Sequence, residues 1–378
     1  MPHNFDEIID RKNTDSFKWD FFQDPEGTIP MPVADMDFRC AEPILQSLRD
    51  VTEHGVFGYS IVPSALKNIL QERLERLYGW KTEKEWQVWI PGLVPAITAT
   101  CRAIGEVGDS VITSIPVYHP FHLAPNYVGK KLQTFPLIEQ NNRWTFDFEA
   151  LENTITEDTK LFMLCNPYNP AGTVFTREEL EKLLAICQKH NLIICADEIH
   201  CDLILDENKK HIPIASLSQE AENMTITLLA PSKTFNIAGL GCSVAVIPNP
   251  ALRKKFEDAK NGFFPPLPRH SLQAAMAAYR DCEDWRVDLI QYLKANHDYL
   301  YQELNGYKGL KMIPLEATYL AWIDARGTGF ENIQEQILKA GVRIMDGKTF
   351  MGEGFIRLNF ACPKSVLVEA VERIKSIV

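Results

Sequence analysis

Short apolar runs alternate with amphipathic segments through the middle of the chain. Five of these runs have the length expected of buried strands, and they lie at 111–115, 161–165, 192–196, 225–229 and 243–247. Apolar residues with helical spacing lie between some of them, as over 177–190. Strands that are buried on both faces and separated by helices indicate an α/β domain with a largely parallel sheet.

The N-terminal part of the chain follows a different pattern. Residues 1–60 contain several prolines and predict an irregular segment, whereas residues 64–78 have helical spacing with Ser64 as the expected N-cap. A short run ends at Pro91-Gly92, and a helix is predicted over 94–104. A strand, a glycine turn and a helix N-terminus in this order can hold a phosphate through free backbone N–H groups.

Beyond residue 305 the elements become fewer and shorter. Runs at 319–323, 342–345 and 355–360 predict strands, and helices are expected over 333–340 and from Ser365 onward. This alternation is typical of a smaller α+β domain. We therefore expect a large domain over 31–280 and a small domain that combines 1–30 with 281–378.

Composition narrows the class of protein. The chain has 378 residues, 46% of them hydrophobic, and a formal net charge of −11, which argues against nucleic acid as the main partner. No apolar run reaches the length of a membrane span, and the first residues lack the apolar core of a signal peptide. Nine scattered cysteines without a C-x-x-C pair predict reduced core residues, no metal cluster and a cytoplasmic location.

Lys233 is the first candidate for chemistry, because it follows the apolar run 225–229 directly and lies between Ser232 and Thr234. A lysine just past a buried strand is partly desolvated, and desolvation favours the neutral amine that forms an imine with a carbonyl cofactor. The alternative is an ordinary solvated loop lysine.

Other polar residues follow the neighbouring runs. Ligands of such sheets bind beyond the carboxyl ends of the strands, and those ends carry Tyr118, Asn169, Asp197, His200 and Lys233. An aromatic ring, an amide, a carboxylate and a lysine at one rim suit a flat, basic heterocycle that carries a carbonyl and a hydroxyl group.

Four blocks, N166-PYNPA-G172, D197-EI-H200, S232-KTF-N236 and R357-L-N359, resemble the fold-type I pyridoxal-phosphate enzymes of the aminotransferase class I/II family. The VADMDF block at 33–38, the FGYS turn at 57–60, the PVYHPF block at 116–121 and His200 are similar to PatB-type cystathionine β-lyases, which are C–S lyases. The resemblance implies a mostly parallel seven-stranded sheet between helices, a small α+β domain, and a homodimer whose active site lies at the subunit boundary.

The resemblance also implies roles for individual residues. Lys233 would hold pyridoxal 5′-phosphate and move the substrate's Cα proton, and Asp197 would pair with the pyridine nitrogen. Asn169 would donate to the phenolic oxygen and Tyr118 would stack on the ring. His200 stands where many aminotransferases carry a tyrosine, and its conservative role is a hydrogen bond to Asp197.

For the phosphate, the resemblance implies a cradle made of the N–H groups of Leu93 and Val94 together with Ser232. The arginine that many family members place eight residues after the lysine is Gly241 here, so Tyr59 of the partner subunit is expected to donate instead. Arg357 would bind the substrate α-carboxylate through two hydrogen bonds.

Each assignment has a simpler structural alternative. Asn169 suits turn chemistry, Tyr118 suits a core position, and Arg357 suits an internal pair with Asp or Glu. Asp197 is compatible with a helix N-cap or a magnesium ligand of a P-loop enzyme. The only G-K-T, at 347–349, has Val342 in place of the leading glycine, and 239–244 lacks the third glycine of a dinucleotide site.

The predicted function is a pyridoxal-phosphate lyase that eliminates thiol from L-cystathionine or another cysteine S-conjugate. Tyr118 and Tyr59 are the candidate proton donors to sulfur, by analogy. An aminotransferase of the same family is the alternative within this chemistry. A regulator that retains the fold and binds effectors or a protein is the alternative from a different class.

Overall fold

An eight-stranded sheet forms the centre of the computed structural model, which describes residues 3–378. Six strands run in one direction, while Ser243–Val246 and Arg143–Phe146 run in the opposite direction. The strand order across the sheet is Gln87–Ile90, Ser243–Val246, Thr225–Leu229, Ile193–Asp197, Thr159–Cys165, Ser110–Ile115, Lys131–Gln140 and Arg143–Phe146. The mostly parallel α/β sheet is therefore confirmed, and it has one strand more than the seven expected.

The eighth strand belongs to a hairpin that the apolar pattern does not reveal. Lys131–Gln140 alternates irregularly between exposed and buried positions, and it pairs antiparallel with Arg143–Phe146. The turn consists of Asn141 and Asn142, both with positive φ (53° and 57°). Two positive φ values match the twist of a two-residue hairpin turn, so the Asn-Asn pair was the available sequence signal.

The strands of the central sheet are enclosed by helices. Buried apolar side chains such as Ile97, Leu183 and Phe256 pack helices against the sheet in one continuous core. The α-helices of the described chain are Phe17–Asp20, Glu42–His54, Ser64–Tyr78, Leu93–Ala103, Pro120–Tyr127, Phe148–Thr154, Arg177–Lys189, Gln219–Met224, Pro250–Lys260, Arg269–Asp281, Glu283–Leu304, Ile333–Lys339 and Lys364–Ile377.

A smaller antiparallel sheet lies in the C-terminal part, in the strand order Lys311–Met312, Leu320–Asp324, Phe355–Asn359 and Met345–Asp346. The strand Ile29–Pro30 pairs in parallel with Val342–Arg343. The predicted run 342–345 is thus divided between two sheets. The domain boundaries at residues 31 and 280 remain a prediction.

Two predictions for the N-terminal part were wrong. Residues 42–54 form a helix, with Pro43 in its first turn, where the missing N–H group costs no hydrogen bond, and Ile44 and Val51 buried. Ser64 is the first residue of its helix, and the N-cap is Pro63 without a side-chain hydrogen bond.

Candidate active site

A cavity of about 280 Å³ lies at the carboxyl ends of the central strands. Cys165 and Asp197 end two neighbouring parallel strands, and the turn after Thr225–Leu229 brings in Lys233. Eight predicted site residues line this cavity together: Leu93, Val94, Tyr118, Asn169, Asp197, His200, Ser232 and Lys233. The parallel topology therefore gathers residues from five separate parts of the chain.

Lys233 is the only lysine or arginine among the described residues that line the cavity. Its Nζ donates to the backbone oxygen of Ala34 at 2.7 Å. Burial, assisted by the nearby Arg357 guanidinium, lowers the pKa of Lys233 to about 8. A substantial fraction of the amine is therefore neutral near physiological pH, unlike that of a solvated loop lysine.

Asp197 is a buried carboxylate, only 3% exposed, without an ion-pair partner among the described residues. Its Oδ1 accepts from the backbone N–H of Ile199 at 3.1 Å. Burial raises the pKa of Asp197 to about 7, although the neighbouring Lys233 opposes this shift. A carboxyl group in this environment favours a cationic partner inside the cavity.

His200 is also buried, and it makes no hydrogen bond to Asp197, so its conservative predicted role was wrong. Its Nδ1 has no hydrogen-bond partner among residues 3–378, and its ring lies edge-on to Tyr319 at 6.2 Å between centroids. Burial lowers the pKa of His200 to about 3, so the ring is neutral at physiological pH. His200 thus presents an unpaired polar nitrogen at the wall of the cavity.

Arg357 lies beside the cavity and is oriented by neutral groups. One Nη donates to Asn169 Oδ1 at 3.0 Å and the other to the Pro32 oxygen at 2.8 Å, while Nε has no partner in the part of the chain that the structure describes. No Asp or Glu of the described residues pairs with it, which excludes the internal ion pair. Burial lowers the pKa of Arg357 to about 10, as expected for a guanidinium without an anion.

The contact between Arg357 and Asn169 also fixes the direction of the Asn169 amide. Because its Oδ1 accepts from Arg357, its Nδ2 donor remains for a ligand. Asn169 is buried, and its backbone oxygen accepts from the N–H of Tyr118 at 3.1 Å. These contacts hold Asn169 in place at the cavity wall and leave its donor unused.

The helix Leu93–Ala103 begins at the cavity. Gly92 precedes it with φ 121° and ψ 153°, and no side chain caps the helix. The N–H groups of the first turn have no intrahelical acceptors. Pro95, in the same turn, has no N–H group. Ser232 and Gly241 line the same region, and Gly241 is left-handed with φ 55°. An open helix N-terminus and a hydroxyl group suit an anion.

The two tyrosines predicted as proton donors to sulfur, Tyr118 and Tyr59, lie in different parts of the structure. Tyr118 lines the cavity, and burial raises its pKa, so its hydroxyl group is protonated at neutral pH. Tyr59 is fully exposed on the surface and lies outside the cavity of its own chain. Its predicted contact to the site of the partner subunit therefore remains a prediction.

The VADMDF block at residues 33–38 contributes Ala34 to the cavity lining, and the hydrogen bonds that hold this block were not predicted. Asn236 bonds to the backbone of Met36 and Phe38, and Asn359 Nδ2 donates to the oxygens of Val33 and Asp35 at 2.6 and 2.7 Å. Tyr319 donates to the Ala34 oxygen at 3.0 Å. The asparagines of the SKTFN and RLN blocks thus hold this segment, which we call the N-terminal clamp segment.

Several other cavity residues also escaped the sequence analysis. Ala34, Cys165, Ile199, Cys242 and Ser243 line the cavity. Cys165 and Cys242 were predicted as core residues; burial raises the pKa of both thiols, and every cysteine of the chain is free. The only sequence signal for Cys165 was its place at the end of the strand that precedes Asn169, and for Cys242 its place just before the strand Ser243–Val246.

The family model described as aminotransferase class I and II matches residues 36–374. The chain belongs to this family. It is 37% identical to cystathionine β-lyase PatB of Bacillus subtilis (strain 168), over 99% of both chains. Among solved structures it is similar to OvoB, with 42% identity, a TM-score of 0.97 and 99% of both chains covered.

Another similar member of this fold is the PLP-bound C–S lyase from Staphylococcus hominis, complexed with the inhibitor L-cycloserine. It shares 30% identity with the chain at a TM-score of 0.93, and the alignment covers 100% of this chain and 98% of that one. The fold and the family predicted from the sequence are thereby confirmed. In residues 3–378, no helix is both long and apolar enough to cross a membrane.

Proposed function

We propose that this protein is a pyridoxal-phosphate-dependent carbon–sulfur lyase that converts L-cystathionine or a related cysteine S-conjugate to a thiol, pyruvate and ammonia. Relatives of this chain include proteins named cystathionine β-lyase and C–S lyase, and they support a lyase over an aminotransferase. With L-cystathionine and one water molecule, the products are homocysteine, pyruvate and ammonia.

One observation carries the proposal: Lys233 and the buried, unpaired Asp197 line the same cavity. A protonated pyridine nitrogen supplies the cation that Asp197 lacks. The open start of the helix Leu93–Ala103 suits a phosphate, and the free Nδ2 of Asn169 suits a phenolic oxygen. The unpaired Nδ1 of His200 adds a further polar contact. The donor set therefore fits pyridoxal 5′-phosphate.

When bound, this cofactor withdraws electrons from the substrate's Cα, which makes the Cα proton removable. Lys233, once its Nζ is free, accepts that proton as general base, because its lowered pKa keeps part of the amine neutral. Arg357 binds the substrate α-carboxylate through its unpartnered Nε and an adjacent Nη.

Thiolate is a competent leaving group from Cβ, and the thiol product carries one more proton, which an acid in the cavity can donate to sulfur. Tyr118 supplies it from the cavity wall, since burial keeps its hydroxyl group protonated at neutral pH. Tyr59 of the partner subunit completes the phosphate site in a cytoplasmic homodimer. The exposure of Val56, Phe57, Tyr59 and Ile61 in one short segment supports such an interface.

The test is to incubate purified protein and pyridoxal phosphate with L-cystathionine in the absence of any keto acid. Thiol, pyruvate and ammonia should form in equal amounts over many turnovers. If turnover instead requires an added keto acid and the cofactor accumulates in its amine form, the protein is an aminotransferase. Release of none of the three products, with cofactor bound, would support the regulatory alternative.

A further inference from the structure

A buried cluster of charged and hydroxyl groups lies behind the turn that carries Lys233. Its centre is the ion pair between Arg73, on the helix Ser64–Tyr78, and Asp202, five residues after Asp197. The two side chains are 3% and 4% exposed, and Arg73 Nη2 lies 2.9 Å from Asp202 Oδ2. The proposed reaction uses neither residue, so this Arg73–Asp202 cluster needs a separate explanation.

Asp202 remains a carboxylate despite its burial. Burial opposes ionisation, but the charge of Arg73 and the hydrogen bond from the Tyr78 hydroxyl group hold the pKa of Asp202 below its usual value. Glu283 accepts from Arg73 Nη1 at 2.9 Å, and Arg286 donates to the Asp202 backbone oxygen at 3.0 Å. The carboxylate is thus fixed from several directions.

The same carboxylate contacts the turn of Lys233. Thr234 is fully buried, and its Oγ1 donates to Asp202 Oδ2 at 3.3 Å. The ring of Phe235 lies 5.7 Å from the Arg73 guanidinium carbon. Thr234 and Phe235, the two residues that follow Lys233, therefore both contact the Arg73–Asp202 ion pair. Asp202 belongs to the same segment as Asp197.

We propose that Asp202 is a positioning residue that acts through Thr234 to fix the Lys233 amine relative to Asp197. This inference rests on the proposed function, because the position of Lys233 matters only if Lys233 holds the cofactor and moves the Cα proton. Even a small displacement of a reacting group from its productive position lowers the reaction rate. The hydrogen bond from the Thr234 hydroxyl group to the Asp202 carboxylate restrains the position of Lys233.

The decisive variant is Thr234→Val, which keeps the shape of the side chain and removes only the donor to Asp202. We expect kcat to fall about tenfold, the effect of losing one hydrogen bond to a charged group, with KM little changed. The pH at which the visible absorbance of the cofactor on Lys233 changes should shift, because that pH reports the surroundings of Nζ. Thr234→Ser, which restores the hydroxyl group, should recover both.

The matched control is Thr227→Val in the strand that leads to Lys233. Thr227 is equally buried, but its hydroxyl group has no hydrogen-bond partner among the described residues, so this variant should keep the kcat and the pH midpoint of the unmodified protein. A Thr234→Val protein that also keeps both values would overturn the positioning role. A Thr234→Val protein that loses only thermal stability would overturn it as well.

Failure of the proposed function has a different signature. If the unmodified protein carries no cofactor on Lys233 after borohydride reduction, the lyase proposal fails before any variant is compared. Asp202→Asn offers a second check of the positioning role, since it keeps the side-chain shape and weakens the bond to Thr234. It should shift the pH midpoint in the same direction as Thr234→Val.

Discussion

The pKa values of Lys233 and Asp197 differ strongly from those of the same side chains in water. Burial lowers one to about 8 and raises the other to about 7. Each pKa shift destabilises the folded state relative to the unfolded chain. Each shift also makes the residue suited to bind or move a proton near physiological pH. Stability and proton transfer therefore place opposite demands on these two residues.

Replacement of Lys233 by alanine should abolish turnover without unfolding the protein. Only one hydrogen bond, to the Ala34 oxygen, is lost from the fold, whereas the proposed attachment point of the cofactor disappears. Borohydride reduction followed by peptide mass spectrometry should find the cofactor on Lys233 of the unmodified protein and on no residue of the variant. Lys81→Ala, at an exposed lysine paired only with Glu75, is the control and should behave as the unmodified protein. An adduct on another lysine would refute the assignment.

Replacement of Asp197 by asparagine should have opposite effects on stability and on cofactor binding. In the folded cofactor-free protein Asp197 keeps its proton up to about pH 7, while the unfolded chain loses it near 3.8. The folded state binds more protons between these values, so its stability falls as the pH rises through this window. Asp197→Asn removes that loss and should raise the melting temperature of the cofactor-free protein at pH 8 but not at pH 4.

The same variant should bind the cofactor more weakly and react more slowly. Loss of one preorganised electrostatic partner typically costs about 2.7–4 kcal/mol of transition-state stabilisation. Calorimetry of the cofactor-free protein at both pH values and titration with pyridoxal phosphate measure the two effects separately. Equal melting temperatures of variant and unmodified protein at pH 8, or undiminished turnover, would contradict the role of Asp197.

At the scale of elements, the helix Leu93–Ala103 owes its open N-terminus to Gly92. The backbone of Gly92 has φ 121° and ψ 153°, a region that residues with a Cβ rarely adopt. The helix has no side-chain cap, so its first N–H groups have no intrahelical acceptors, and Leu93 and Val94 of its first turn line the cavity. The direction of this helix start thus depends on one residue.

Gly92→Ala should therefore weaken binding of the cofactor phosphate by displacing the start of the helix. Gly79→Ala is the matched control, because Gly79 also has positive φ (67°) but ends a different helix outside the cavity. Both variants should lose stability, by about 1 kcal/mol or more. Only Gly92→Ala should raise the dissociation constant of pyridoxal phosphate in an absorbance titration. Equal affinities in the two variants would remove the helix from the phosphate site.

The elements also show where sequence reasoning succeeds. The continuous apolar runs that end in Cys165, Asp197 and Leu229 were predicted within two residues, because strands buried on both faces leave a strong signal. The hairpin at 131–146 and the helix Glu42–His54 were missed, because both expose one side and their pattern is diluted. The contacts of Asn236 and Asn359 lay beyond prediction, since they join segments far apart in the chain.

At the scale of the whole molecule, one chain builds most of the site, while Tyr59 is exposed with Val56, Phe57 and Ile61. Apolar side chains gathered on one short surface segment favour contact with another subunit. If Tyr59 of one subunit completes the site that contains Lys233 of the other subunit, each active site needs an intact Tyr59 from one chain and an intact Lys233 from the other.

Mixed dimers test this arrangement. Tyr59→Ala and Lys233→Ala chains, co-expressed with different tags, should form a dimer in which one site has lost both residues and the other has both intact. The purified mixed dimer should then have about half the activity of the unmodified dimer, whereas either variant alone is impaired. A mixed dimer no more active than the two parent variants would contradict a shared site, and a monomer in solution would exclude it.

The N-terminal clamp segment has a consequence for biosynthesis. Residues 33–38 leave the ribosome early, yet Asn236 follows Met36 by 200 positions and Asn359 follows Val33 by 326. Pairing of such distant segments waits for the later one to be made. The part of the cavity lining that Ala34 supplies is therefore expected to form only when translation is nearly complete. We expect the cofactor to bind only after synthesis of the chain is complete.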